Sequence, residues 1–262
     1  MYANPPLVEV IVELRWKLKA LTLTPGGTLD PFFDEFSADL ARRLKEDGYA
    51  FAEPLVPSEI PMEVLAHRVV RRFRRAENTW PVFQCGPGVF TANIVPPYDG
   101  WRAFSGIVRR GLDHVFAAYP VADKYLQPDG IQLKYIDAFT ADHGFKSYSE
   151  FVRLLNVRAE LPSISPPRSD AAKDMEAVME FRLKTDSPVG VGVIKISPGI
   201  SSGARALVME MSLRSPYQDS ANPAQAISWL NSAHKVVRGW FEGIVTPELE
   251  RTFGQKTQIS TH

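Results

Sequence analysis

The chain alternates between apolar and mostly charged residues in the stretch VEVIVELRWKLK, at residues 8–19. The even-numbered positions are all apolar: Val8, Val10, Val12, Leu14, Trp16 and Leu18. The odd-numbered positions are charged except for Ile11. A period of two that persists over this length is typical of a β-strand with one buried face. The stretch therefore predicts a long strand that faces the core on one side.

A helix is predicted after this strand, because Pro25-Gly26-Gly27 breaks the chain and helix-start signals follow. Asp30 is a suitable N-cap, and Pro31 suits the first helical position. Gly48 is a typical C-terminal stop. Between these limits, apolar residues recur at helical spacing. They are Phe32, Phe33, Phe36, Leu40 and Leu44.

The remaining elements follow the same order in both halves of the chain. The first half continues with predicted strands at 64–75, 80–85 and 89–95 and a helix at 101–119. The second half begins with a strand at 131–139 and a helix at 147–156, where Ser147 is the predicted N-cap. Strands at 176–184, 189–196 and 204–214 and a helix at 223–253 complete it.

This repeated order predicts an α+β fold built from a duplicated βαβββα unit. Such a unit forms an antiparallel sheet with the helices packed on one side. The pseudo-repeat halves span about 1–120 and 130–254, and only an ordinary loop separates them. We therefore expect a single merged domain over residues 1–262, with a flexible tail at 255–262.

The composition narrows the function classes. The 262 residues carry 30 Lys and Arg against 30 Asp and Glu, so the net charge is zero, which argues against a general nucleic-acid binder. Cys85 is the one cysteine, which excludes an internal disulfide bond and a multi-cysteine metal cluster. Neither a signal peptide nor a membrane-length apolar run is present. We expect a cytoplasmic protein with no cofactor.

Five segments carry a resemblance to a known family. They are PPLVEVIVELRW (5–16), GPGVFTANIVPPYDGWRAF (86–104), IQLKYIDAF (131–139), FVRLLNVRAELP (151–162) and LNSAHKVVRGWFEGIVTPELERTFG (230–254). In this order they resemble an uncharacterised microbial family described as sporadically distributed. Similar members end the fifth strand in Arg-Tyr-Ile-Asn, where this chain has Lys134-Tyr135-Ile136-Asp137. The resemblance implies no reaction or catalytic residue, and the patchy distribution suggests a mobile or defence gene context.

The most charge-dense stretch, at residues 67–75, contains five arginines and no acid. In a strand, Arg68, Arg72 and Arg74 would share one face. One interpretation is that their guanidinium groups bind phosphates or stack on bases. The other is that they form cross-strand ion pairs with Glu9 and Glu13. The second is favoured, because binding through counterion release requires several unopposed cations.

Other chemically capable residues have a structural interpretation that the sequence favours. Tyr98 and Trp101 are typical of residues that pin a strand-to-helix corner. His234 suits the edge of the core in the terminal helix, and the spacing of the histidines matches no metal-binding motif. Cys85 would be a nucleophile only if the fold brought His67 close to it.

We therefore predict a non-enzymatic protein that binds a small ligand or a protein partner on a mixed-charge sheet face, since no catalytic motif is present. The predicted ligand-binding residues are Glu13, Arg72, Arg74, Asn93 and Lys134. One alternative is an RNA- or nucleotide-binding protein that uses the arginine strand. Another is a hydrolase or transferase for phosphorylated substrates, which requires clustered carboxylates from Glu9, Glu13, Glu176 and Glu180. No metal site or membrane contact is predicted, and a homodimer is compatible with the pattern.

Overall fold

The strand β1 (Leu7–Trp16) lies at the centre of the main sheet. Val10, Val12, Leu14 and Trp16 are buried, and the odd-numbered residues between them are partly exposed, so the predicted alternation is confirmed from Val10 to Trp16. Val8, which was predicted on the buried face, is exposed, because the register shifts between Leu7 and Glu9. The strand pairs antiparallel with β7 (Val89–Ile94) and β8 (Pro128–Phe139). This computed structural model describes residues 2–21, 28–57, 59–157, 177–216 and 222–254.

Six further strands complete this sheet: β4 (Phe51–Pro54), β5 (Arg71–Arg74), β6 (Val82–Gly86), β9 (Met179–Asp186), β10 (Val189–Ser201) and β11 (Ala204–Arg214). In the described chain the sheet has nine strands in the order β4-β5-β6-β7-β1-β8-β11-β10-β9, and neighbouring strands are antiparallel. A separate two-stranded sheet joins β2 (Lys19–Ala20) to β3 (Thr28–Leu29).

The long helices α1 (Phe33–Glu46), α2 (Trp101–Ala118) and α5 (Pro223–Ile244) pack on one face of the sheet. Gly111 of α2 lies against Phe83, and Gly192 of β10 lies so close to Trp240 of α5 that a Cβ would stand 2.3 Å from its ring. We call the face of the sheet that these helices cover the helix face, and the opposite face the polar face. The short helices are α3 (Ala122–Tyr125), α4 (Tyr148–Phe151) and α6 (Pro247–Arg251). The protein thus has the α+β fold that its sequence predicts.

The strand order is the same on both sides of the β1–β8 pair. In the first half, β1 lies at the centre, β7 lies beside it, and β6 and β5 lie further out. In the second half, β8, β11, β10 and β9 take the corresponding positions. The halves also differ, because α4 has a single turn where α1 has 14 residues, and β4 has no counterpart among the described strands. That the halves arose by duplication stays a prediction.

The predicted strand at 64–75 is wrong over most of its length. A 3₁₀ turn occupies Met62–Val64, and β5 begins only at Arg71. His67 has a φ of 55°, which a continuous strand does not allow. Its Nδ1 lies 3.0 Å from the carbonyl oxygen of Gly88, a contact between distant parts of the chain that local sequence does not predict.

Two helix boundaries also differ from the prediction. The N-cap of α1 is Phe32 rather than Asp30. The buried Asp30 carboxylate accepts from the Phe32 amide at 3.2 Å, and it also accepts from Trp16 Nε1 at 2.9 Å and from the Tyr119 hydroxyl at 2.8 Å. The predicted helix at 223–253 is two helices, since Val245 is extended and the Thr246 hydroxyl caps α6 by accepting from the amide of Leu249 at 3.3 Å.

Ser147 is confirmed as the N-cap of α4, because its hydroxyl accepts from the Glu150 amide at 3.4 Å. The predicted tail at 255–262 and Glu176 lie outside the described residues. Across the ranges that the structure describes, no helix combines the length and the apolar character needed to cross a membrane.

Candidate ligand-binding cavity

A cavity of about 810 Å³ lies on the helix face, between β8, α5, the N-terminal segment and the loop that follows β7. Its apolar wall includes Pro6, Leu7, Pro97, Met211, Val237 and Phe241. Its polar groups include Tyr2, Tyr98, Tyr135, Asp137, His234 and Arg238. Segments far apart in sequence therefore build one concave site.

The alternation of β8 places two of these polar residues in the cavity. Tyr135 and Asp137 are two residues apart, so they share a face of the strand. Tyr135 lies opposite Val10 of β1, whose side chain is buried on the helix face, and opposite Met211 of β11. The sequence therefore introduces a hydroxyl and a carboxyl group into an otherwise apolar row of the strand.

A chain of polar contacts connects three elements at the cavity wall. The Tyr98 and Tyr135 hydroxyl oxygens are 3.3 Å apart, and the Tyr135 hydroxyl lies 2.9 Å from His234 Nδ1. Trp101 stacks on the His234 ring, with centroids 5.1 Å apart and planes inclined by 13°. Trp101 Nε1 also donates to Asn231 Oδ1 at 2.8 Å, so α2 and α5 hold the imidazole in place.

A glycine allows the loop after β7 to present Tyr98 beside Trp101. Gly100 precedes the first residue of α2 and has a φ of +91°, in the region that favours glycine. The chain can therefore reverse direction between Tyr98 and the helix.

Asp137 is the least satisfied polar group of the cavity. The residue is 4% exposed, and no residue that the structure describes reaches its carboxyl group with a hydrogen bond or an ion pair. Burial alone raises the pKa of this carboxyl to about 7. Asp137 therefore exists as a mixture of acid and carboxylate near neutral pH.

Three other titratable groups of the wall, His234, Tyr98 and Tyr135, are neutral at pH 7. Burial, reinforced by the charge of Arg238, lowers the pKa of His234 to about 4. Burial raises the pKa of Tyr98 to about 12 and that of Tyr135 well above its ordinary value. The cavity thus combines uncharged hydroxyl and imidazole groups with the buried Asp137 acid.

Both ends of the described chain help to close the cavity. The Asn4 amide donates to the Phe253 carbonyl at 2.8 Å, and the Ala138 amide donates to the Pro6 carbonyl at 2.8 Å. The Tyr2 hydroxyl donates to the Glu250 carboxylate, and the Tyr2 ring packs edge-on against Phe253. The N-terminal segment is therefore anchored as one wall of the site.

The five predicted ligand-binding residues lie elsewhere, on the polar face. Asn93 and Lys134 both lie opposite Ile11, and Glu13 lies two residues further along β1. Each has a partner within the chain: Asn93 Nδ2 donates to Glu9 at 2.7 Å. Lys134 Nζ pairs with Glu210 at 3.2 Å, and Glu13 pairs with Arg15 at 2.6 Å.

The arginine strand forms ion pairs, but not with the predicted partners. Arg72 and Arg74 share the Glu53 carboxylate of β4, at 3.0 and 3.1 Å. Pairing with Glu9 or Glu13 was a wrong prediction, because β6 and β7 lie between β5 and β1.

The remaining candidates do not cluster either. Glu9 and Glu13 lie on β1, whereas Glu180 lies on β9 and pairs with Arg182 at 2.9 Å. Cys85 is fully buried, and burial raises its pKa to about 12. Among the residues that the structure describes, no group of three or more His, Cys, Asp or Glu side chains is placed to hold a metal ion.

Comparison with protein-family models, with curated proteins and with solved structures finds no match for this chain. The resemblance to the sporadically distributed family stays a prediction. Four of the five segments that carry it line the cavity, through Pro6, Tyr98, Asp137 and His234.

From sequence alone, Tyr98, Trp101 and His234 had separate structural interpretations. The signal that could have located the site is Asp137, an acid in the apolar row of β8 that also contains Ile131, Leu133 and Phe139.

Proposed function

We propose that this protein binds a small organic molecule in the cavity beside β8 and α5. Ligand sites in proteins are typically concave, of about 300–1,000 Å³, and mostly apolar with a few convergent polar groups. The cavity volume of about 810 Å³ lies in this range, and its wall combines apolar side chains with the Tyr98–Tyr135–His234 contacts and Asp137.

The observation that carries the proposal is the buried carboxyl group of Asp137 without a partner. A buried polar group that lacks a hydrogen bond costs about 1–3 kcal/mol, and an ionised one costs more. A bound ligand that supplies the missing partner would recover this cost. The ligand would then stabilise the folded state in proportion to its concentration and affinity.

A second candidate is an enzyme that uses Asp137 for proton transfer. General acid–base catalysis is most efficient when the pKa of the group lies near the working pH, and the pKa of Asp137 is about 7. We place this candidate second, because the imidazole and the tyrosine hydroxyls beside Asp137 have pKa values far from neutral.

The RNA- or nucleotide-binding alternative depends on Arg72 and Arg74. An approaching phosphate would have to compete with the Glu53 carboxylate that both guanidinium groups already contact. We therefore rank this alternative below small-molecule binding.

The proposal can be tested by blocking the cavity. Leu7→Trp adds an indole to its wall, whereas Val8→Trp places the same group on a neighbouring exposed residue as a matched control. Native mass spectrometry of the full chain purified without denaturant should show a bound small molecule in the wild type and in Val8→Trp, and not in Leu7→Trp.

Ligand-observed NMR with a fragment mixture extends this test to a ligand that is lost during purification. The same difference between Leu7→Trp and Val8→Trp is expected for the fragments that bind. If the wild type retains no molecule and binds no fragment, or if Leu7→Trp binds as well as Val8→Trp, the proposed function is wrong. Conversion of a bound molecule to a product would favour the enzyme candidate instead.

A further inference from the structure

We infer that the ligand of this cavity carries a protonated amine, which forms an ion pair with Asp137. The inference rests on the proposed small-molecule binding function and specifies the chemical class of the ligand. Three properties of the described cavity support it: the unpartnered carboxyl group, the balance of charge around it, and the aromatic groups in the wall.

The surroundings of Asp137 leave its carboxylate form without a hydrogen-bond donor. On the neighbouring strands it lies opposite Leu7 and Met209, and neither side chain can donate a hydrogen bond. An ionised carboxylate only accepts hydrogen bonds, and it forms its shortest and strongest ones with charged donors. An ammonium group supplies both the donors and the opposite charge.

The charges that line the cavity favour a cation over an anion. Asp99, on the loop after β7, adds a second carboxyl group to that of Asp137. Arg238 is the guanidinium in the lining, and it already pairs with Glu242 at 2.8 Å. His234 from α5 and Tyr98 from the loop are uncharged at neutral pH, and the Tyr2 hydroxyl from the N-terminal segment donates to Glu250. A ligand carboxylate or phosphate would therefore meet more negative than positive charge.

The aromatic and apolar side chains of the wall also suit the hydrocarbon part of an amine ligand. Tyr98, Tyr135 and Phe241 present aromatic rings, and the face of such a ring attracts an ammonium group by about 0.5–2 kcal/mol. Pro6, Met211 and Val237 provide apolar surface for a hydrocarbon body. The inferred class is thus a primary or secondary amine with an apolar or aromatic substituent.

Binding of such a ligand depends on pH. The pKa of Asp137 is about 7, so below that pH the carboxyl group must release a proton to solvent before the ion pair forms. Affinity for an ammonium ligand should fall by about 50-fold between pH 7 and pH 5, with a slope that approaches about tenfold for each pH unit. A neutral ligand with the same body has no such dependence.

Three probes with one apolar body test the inference by isothermal titration calorimetry and ligand-observed NMR on the full chain. They are 2-phenylethylammonium, 2-phenylethanol and 3-phenylpropanoate. At pH 8 the ammonium probe should bind at least about tenfold more tightly than the alcohol, and the carboxylate should bind most weakly. The preference for the ammonium probe should be lost at pH 5.

Variants locate the interaction. Asp137→Asn should remove the preference for the ammonium probe and leave binding of the alcohol within about twofold, whereas Asp123→Asn, at an exposed position outside the cavity, should retain the preference. Equal binding of ammonium and alcohol, tighter binding of the carboxylate, or an unchanged preference in Asp137→Asn would overturn the inference while leaving the proposed function intact. Failure of every probe and fragment to bind the wild type would overturn both. If Asp137→Asn fails to fold, the inference is still tested by whether the wild type loses its preference for the ammonium probe between pH 8 and pH 5.

Discussion

The polar face of the sheet and the cavity on the helix face differ in whether their charged groups have bonding partners. On the polar face, Glu13, Asn93 and Lys134 each bond to a neighbouring side chain, and Arg72 and Arg74 share Glu53. In the cavity, the one buried carboxyl group has no partner among the residues that the structure describes. Of these two regions, the one with the higher density of charge is therefore the better satisfied, and the cavity contains an acid without a described partner.

Strand register explains why the charged groups of the polar face have partners. Antiparallel neighbours bring side chains on one face to within about 5 Å, so charges of opposite sign on adjacent strands meet without further adjustment. Lys134 and Glu210 are diagonal neighbours of this kind on β8 and β11. Asp137 lies instead where β8 faces a cavity, so no side chain from a helix reaches it.

The largest effect is expected from Asp137→Asn on the pH dependence of stability. The folded-state pKa of about 7 lies above the ordinary value of 3.8, so the folded state holds a proton that the unfolded state loses, and stability falls as pH rises between these values. At about 1.4 kcal/mol per pH unit, the loss amounts to at most about 4 kcal/mol. The variant should avoid it and gain stability relative to the wild type from pH 4 to pH 8.

Urea denaturation of both proteins at pH 4, 6 and 8, without added ligand, measures this difference. Asp99→Asn serves as the control, and we expect its free energy of unfolding to differ by less than about 0.5 kcal/mol, because the side chain is exposed. A difference between wild type and Asp137→Asn that stays constant with pH would show that Asp137 is satisfied in the folded state.

The next largest effect is expected on the polar face, from Glu53→Gln. The Arg74 side chain is only 8% exposed, and removing its carboxylate partner leaves a largely buried cation. Its Nη1 still donates to the Thr79 carbonyl at 2.9 Å, and its guanidinium lies over the Trp80 ring. We therefore expect a loss of about 1–2 kcal/mol in the free energy of unfolding, measured at pH 7. No loss would mean that water replaces the carboxylate at little cost.

A smaller effect is expected from Tyr135→Phe. The substitution removes the hydroxyl that lies between Tyr98 and His234 and leaves the ring in place. Loss of these contacts should cost about 1 kcal/mol. Thermal unfolding measures the cost, and NMR of the His234 imidazole should show a changed environment. Tyr125→Phe, at an exposed position away from the cavity, is the control. Equal results for the two variants would contradict the hydrogen-bonded arrangement.

The smallest effect is expected from Glu180→Gln. Its partner Arg182 is 77% exposed, and exposed ion pairs contribute about 0–0.5 kcal/mol. Chemical denaturation should therefore barely separate this variant from the wild type. A loss as large as that of Glu53→Gln would show that burial does not rank the ion pairs of the polar face.

Much of the fold follows from local pattern. The predicted strand at 204–214 matches β11 residue for residue, and α2 begins at the predicted Trp101. Strong periodicity and turn residues determine such elements locally. The errors at His67 and Asp30 have another origin, since both side chains bond to residues distant in sequence, Gly88 in one case and Tyr119 in the other.

The site was less predictable than the fold. Cys85, the arginine strand and the acids were candidates because of their residue types, yet the structure buries Cys85 and gives partners to Arg72, Arg74 and the described acids. Tyr98, Tyr135 and His234 come from three separate elements. Their proximity depends on how α5 packs against β8, which no local pattern encodes.

By itself, the sequence determined that β1 and β8 are strands and which of their faces is apolar, because the alternation of these segments is a local property of the chain. It also placed an acid in the apolar row of β8. Only the tertiary structure decided that this acid faces a cavity without a partner, because the walls come from the N-terminal segment, the loop after β7 and α5. The cost of burying a charge depends on those surroundings, and they exist only once the chain has folded.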